Sequence, residues 1–227
     1  MWKSVLVGAL VGILVLVLGL GGYLYVRGSA PQAQDRQSDR TLLIFESRAE
    51  DDATVAALIS LIEGDGVRDI SPETTVSIPG TSYNHLSDAL AFGGGGAVLN
   101  AFKGGGGEAD AFVSVPESVW RGAVDARSGI TVDLPVDLTV FDGSRLSTLA
   151  SGEQTMTSSE VGAVLRGIAY LNPTDRSRVR HQLSREMASA LISAHGRATD
   201  LKSSMSGQVL ESWLQNRLAQ ADIHEVD

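Results

Sequence analysis

Residues 122–138 read GAVDARSGITVDLPVDL. The first part completes SVWRGAVDA (118–126), which reads as a helix. The second, GITVDLPVDL (129–138), alternates Ile, Val and Leu with polar residues, the period of strands. A helix that hands over directly to strands is the building unit of an α/β fold, and the rest of the chain is arranged around it.

Upstream, ADAFVSV (109–115) and TLLIF (41–45) are strand-like runs. DDATVAALISLIEGDG (51–66) supports two readings. Val55, Leu58, Ile59 and Ile62 have helical spacing, yet Gly64-Asp65-Gly66 has the composition of a hairpin turn closing a strand. TTVSIPG (74–80) reads as a strand into a turn. SDALAFGGGG (87–96) reads as a short helix into glycines, and a second glycine run fills 104–107. Neither run is followed by Gly-Lys-Ser/Thr, so both read as flexible loops rather than phosphate cradles.

Downstream, Thr157-Ser158-Ser159-Glu160 is a capping box that opens a helix ending by Asn172-Pro173. Thr174 or Asp175 then caps a second helix to about His195. Gly196 breaks it, and a third helix runs from about Thr199 to Ala221. Its stripe of Leu201, Met205, Val209, Trp213 and Leu214 is expected to pack on the domain core. The alternation from Thr41 to about His195 predicts an α/β domain with a central sheet.

Two further features frame that domain. Val5 to Val26 are 22 consecutive residues without a charge, and as a helix they span roughly 33 Å, enough for a bilayer core. The run exceeds the apolar region of a cleaved signal peptide, and Pro31 would follow the only small-residue cleavage site. It therefore reads as an uncleaved anchor (1–27), N-in and C-out, with a polar linker at 28–40. The chain is acidic, with a formal net charge of −9, which argues against nucleic acid as a partner. Cysteine is absent, so disulfides and thiolate metal sites are excluded.

Against this acidity, TDRSRVRHQ (174–182) gathers three arginines and a histidine. On a helix Arg178, His181 and Gln182 form one row and Arg176 and Arg180 another. The residues alone leave open whether this cluster is an anion grip or a solvated helix face.

VDARSGITVDLP, LASGEQTMTSSEVGAVLR and DRSRVRHQ, in that order and spacing, resemble consecutive motifs of the LytR–CpsA–Psr family. Upstream, IFESR, ISPETTVSIPG and LSDALAFGG resemble the motifs that precede them there, so the resemblance covers about 41–194. It implies an extracytoplasmic domain (41–195) with a central mixed β-sheet flanked by helices, on a single N-terminal transmembrane helix in the cell membrane. Residues 196–227 would form a C-terminal helix and tail. The implied activity is transfer of a glycopolymer from a polyprenyl-pyrophosphate carrier to peptidoglycan or another envelope acceptor. Arginines would bind the pyrophosphate, with the Arg178 row facing it and the Arg176 and Arg180 row solvated or touching lipid headgroups; aspartates would hold Mg²⁺, and an apolar tunnel would receive the lipid.

Carried over by position, the resemblance makes Arg48, Asp52, Arg166 and Arg178 candidate catalytic residues. His85, His181 and Gln182 join the three arginines as candidate substrate-binding residues. Asp52 (with Asp51 a near rival) and Glu46, which stands for the family's aspartate, are the candidate metal ligands. Three cationic positions of the pattern are lost or weakened, at Pro72, Ile168 and His181, and His85 replaces a lysine. A second expectation is therefore a catalytically weakened relative that binds polyprenyl-linked polymer or scaffolds another family member.

Overall fold

The TLLIF run lies in strand β1 (Arg40–Arg48), in which Leu42, Leu43, Ile44 and Phe45 are all fully buried. Successive side chains of a strand point to opposite faces, so burial of four in a row requires cover on both sides of the sheet. The computed structural model describes residues 39–48, 53–64, 66–141, 146–194 and 200–218, and β1 is the central strand of its sheet. The five strands run in the order β3-β2-β1-β4-β9: β2 is Thr54–Glu63, β3 Gly66–Ile70, β4 Ala111–Val115 and β9 Lys202–Ser203. β1 pairs antiparallel with β2 and parallel with β4, so the sheet is mixed, as expected.

The ambiguous segment 51–66 resolves as a strand. Gly64, at φ 60°, makes the turn into β3, a conformation that glycine adopts without steric cost. The helical spacing there arises because both faces of β2 are buried and apolar residues fill nearly every position. A register shift between Phe45 and Glu46 marks a bulge in the β1–β2 pairing.

One face carries Leu43, Phe45, Leu58 and Ile62 and is covered by three helices: α2 (Glu117–Ala126), α3 (Ser158–Gly167) and α4 (Pro173–Ser193). The other carries Leu42, Ile44, Ile59 and Leu61, under Leu86 and helix α1 (Ala89–Gly104). The glycine run expected as a flexible loop sits within α1. Gly93 and Gly94 leave helical geometry, with Gly94 at φ 62°, and the helix resumes at Gly95. A Cβ on Gly95 would lie 2.3 Å from the Phe112 ring, so this glycine lets the helix close onto the sheet. The run is a packing device.

GITVDLPVDL divides at Pro135. β5 (Ile130–Leu134) pairs with β8 (Gly152–Met156), whereas β6 (Leu138–Phe141) pairs with β7 (Leu146–Leu149). The capping box forms as read: Glu160 N donates to Thr157 Oγ1 (3.4 Å), and Thr157 N to Glu160 Oε2 (2.8 Å). The second cap is Asn172, whose Oδ1 accepts from Asp175 N at 3.0 Å, with Pro173 in the first turn, rather than Thr174 or Asp175. TTVSIPG contributes an isolated bridge, Thr75 to His85, and no strand.

The third helix is shorter than its stripe suggests. Residues 202–203 form β9, α5 covers Gly207–Trp213, and a π-helical turn follows over Leu214–Leu218. Met205, Leu210, Trp213, Leu214 and Leu218 are nevertheless buried in the main core. Among the described residues no helix is long and apolar enough to cross a membrane; Val5–Val26 lies outside them.

Candidate functional site

The parallel strands β1 and β4 end side by side, and α2 starts immediately after β4. In open α/β sheets this carboxyl edge is where ligands bind. It carries a cluster of charged groups. Glu46 is buried (5% exposed), and its Oε1 accepts from Ser114 Oγ at 2.7 Å. Lys202 Nζ approaches both carboxylate oxygens, at 2.9 and 3.1 Å. The Trp120 indole donates to the Glu46 carbonyl at 2.8 Å, next to the β1 bulge. Beside it, Arg48 N donates to Glu117 Oε2 (3.0 Å), and Arg121 pairs with Glu117 Oε1 (2.7 Å) while its guanidinium lies 4.9 Å from the Trp120 ring. The resemblance pointed to Glu46 and Arg48. Ser114, Glu117, Arg121 and Lys202 were not found from sequence, because each is recruited from a distant element.

The α4 rows divide differently from the expectation. Arg178, exposed, pairs with Asp133 at 3.2 Å, and Gln182 Oε1 accepts from Asp133 N at 3.2 Å. These two residues therefore share one strand position in β5, and His181 beside them is half-buried. The second row, read as solvated, is the buried one. Arg180 is 7% exposed, lies 3.3 Å from Asp69 and donates to Ser71 Oγ at 3.2 Å. Arg176 bonds Glu73 (2.5 Å) and the carbonyls of Ala169 and Leu171. The phase of the helix defines two rows; only the acidic β3 edge decides which of them turns inward. Burial pushes the Asp69 carboxyl up to about 6, against the lowering influence of Arg180.

Arg166 sits in the last turn of α3, half-buried and without an ion-pair partner among the described residues. His85 is exposed, with Nδ1 3.8 Å from Asp88. No hydrogen bond or ion pair among the described residues joins Arg48, Arg166 and Arg178 to one another. Ile168, standing where the family pattern has an arginine, is 6% exposed and belongs to the main core. Ile168→Arg is therefore expected to destabilise the fold by about 2–3 kcal/mol, read by urea denaturation, instead of restoring a phosphate ligand. Snorkelling past exposed Ala169 and Tyr170 keeps the loss from being larger.

For a divalent cation the donor set is thin. Asp52 and Asp51 lie outside the described residues, and among those described no group of three His, Asp or Glu could hold a metal ion. The coordinating edge of Glu46 faces an ammonium, so this carboxylate does not fit the role of a Mg²⁺ ligand while Lys202 stays in place.

No protein-family model matches the chain, and no curated protein matches it in sequence. The fold, a mixed sheet between helical layers, is like that of solved LytR–CpsA–Psr structures, at low sequence identity. The LytR-Csp2A-Psr enzyme from Actinomyces oris superposes with a TM-score of 0.61 at 16% identity, covering 84% of this chain and 82% of that one. TagT, solved bound to LIIa-WTA, gives 0.53 at 19% identity over 82% and 80% of the two chains. EF0465 from Enterococcus faecalis, described as a transcriptional regulator, gives 0.56 at 17% identity over 85% and 76%.

Proposed function

We propose that this chain is a cell-membrane protein, held by Val5–Val26 with its domain outside the cytoplasm. Its domain takes a polyprenyl-(pyro)phosphate-linked glycopolymer and transfers it to peptidoglycan or another envelope acceptor. The observation that carries this reading is the LytR–CpsA–Psr fold with Arg48 at the carboxyl edge of β1. The acceptor hydroxyl would attack the phosphorus that bears the polymer, giving up its proton to solvent, and polyprenyl phosphate would leave with the electrons of the broken P–O bond. Guanidiniums at Arg48 and Arg166 would bind the oxygens on which that charge gathers. A surface for the lipid is supported by the exposed rings of Tyr83 and Phe92, tilted against each other (centroids 5.2 Å apart) beside the glycine break in α1.

A second reading, a weakened relative that binds the carrier or scaffolds another family member, is favoured by a specific observation. Arg178, the candidate anion ligand of α4, is paired with Asp133, and Ile168 is spent on the core. One experiment separates the two. The detergent-extracted protein, first tested for retention in membranes after alkaline carbonate washing, is analysed by mass spectrometry for polyprenyl phosphate and assayed for transfer. Binding with transfer is expected. Arg48→Ala and Arg166→Ala should each weaken binding by about 1.5–3 kcal/mol, roughly 10- to 150-fold. Binding without transfer would select the second reading, and neither would remove both.

A further inference from the structure

We infer that the Lys202 ammonium takes the place of a divalent cation at Glu46, so that this chain carries a built-in, metal-independent positive charge at the carboxyl edge of its sheet. The inference rests on the reading of Glu46 as the family's metal-carboxylate position.

A buried carboxylate needs a counter-ion. Here both oxygens lie within 3.1 Å of one Nζ, and Ser114 satisfies a further lone pair of Oε1. The lysine is held in place by the sheet. Lys202 is the register partner of Ser114 in the β4–β9 pair. Ser203 Oγ donates to the Phe112 carbonyl at 2.9 Å, and Ser204 Oγ accepts from Phe112 N at 3.1 Å. Two serine hydroxyls thus pin the segment after Lys202 to the Phe112 backbone, and the β4–β9 pairing sets Lys202 opposite Ser114.

A divalent ion on the same carboxylate would sit close to that ammonium, and the repulsion between them in a partly desolvated site is severe. Magnesium also requires near-octahedral oxygen ligation at about 2.0–2.1 Å, which a carboxylate already shared between an ammonium and a hydroxyl does not offer. The Lys202 side chain is 63% exposed, so its far side faces solvent and can meet an anion directly. The positive charge that a metal would bring to a phosphate is then supplied by the chain itself.

The test is Mn²⁺ titration of the full, detergent-extracted chain, followed by electron paramagnetic resonance of the free ion, without any glycopolymer. Wild type and Lys202→Arg should bind no Mn²⁺ at millimolar concentration, and their melting temperatures should be unmoved by EDTA or Mg²⁺. Lys202→Met, which keeps the apolar stem, should gain one Mn²⁺ per chain at least tenfold more tightly than wild type. Glu46→Gln combined with Lys202→Met should lose that gain. Stoichiometric Mn²⁺ binding by wild type that Glu46→Gln abolishes would overturn the inference, as would absence of any gain in Lys202→Met. Loss of glycopolymer transfer with the Mn²⁺ pattern intact would count against the functional reading alone.

Discussion

Arg180→Ala is expected to cost the folded chain about 3–5 kcal/mol at neutral pH and clearly less near pH 5, measured by urea unfolding. The guanidinium is buried 3.3 Å from Asp69, and its removal leaves a carboxylate with little access to water. The pH dependence follows from Asp69, whose pKa is raised from 3.8 to about 6 by burial, with Arg180 opposing. A carboxyl raised in the fold favours the protonated state there. Its contribution to stability is therefore present below pH 4 and lost as pH rises through about 6, a loss of about 3 kcal/mol. Near pH 5 most of Asp69 is neutral, and less charge is stranded when Arg180 goes. Asp69→Asn should abolish this titration, so wild type should lose about 3 kcal/mol of stability relative to that variant between pH 4 and pH 7. A pH-independent loss under about 1 kcal/mol for Arg180→Ala would return the residue to the solvated row.

Trp213→Ala should be comparably damaging, at about 3–5 kcal/mol. The indole is 1% exposed and shares a core cluster with Leu43, Phe45, Val179 and Leu183. Replacing it with alanine leaves a large cavity at the seam between the C-terminal segment and the main sheet. Truncation after Gly196 removes Met205, Leu210, Trp213, Leu214 and Leu218 together, and uncovers the β4 edge. That fragment is expected to aggregate or to lose its cooperative unfolding transition. A stable, cooperatively folding truncated monomer would show that the segment is an appendage.

Several of these features were legible in the sequence, for identifiable reasons. The TLLIF run and the Thr157–Glu160 box are local codes, written within a few residues and read without knowledge of the rest of the fold. The order of motifs gave the fold and pointed to Arg48 and Glu46. What escaped is what tertiary partners decide. A two-residue strand has no period, so nothing about Lys202 and Ser203 announced β9. The glycines at 93–96 look like a loop until Phe112 lies against Gly95. The arginines of α4 offered two rows, and the acidic residues that choose between them, Asp69 and Glu73, lie about a hundred residues earlier, at the β3 edge.

The β4–β9 pairing also sets an order of assembly. β1, β2 and β3 are consecutive and each pairs with its neighbour in the chain, whereas Ser203 reaches Phe112 across 91 residues and Lys202 reaches Glu46 across 156. Contacts of such separation form late, since the loop must be closed before it is rewarded. A nascent chain can thus build its central hairpins while Glu46 still lacks its counter-ion. Charge balance at the carboxyl edge becomes a checkpoint on maturation: only a chain translated past Lys202 and docked along β4 presents a finished site.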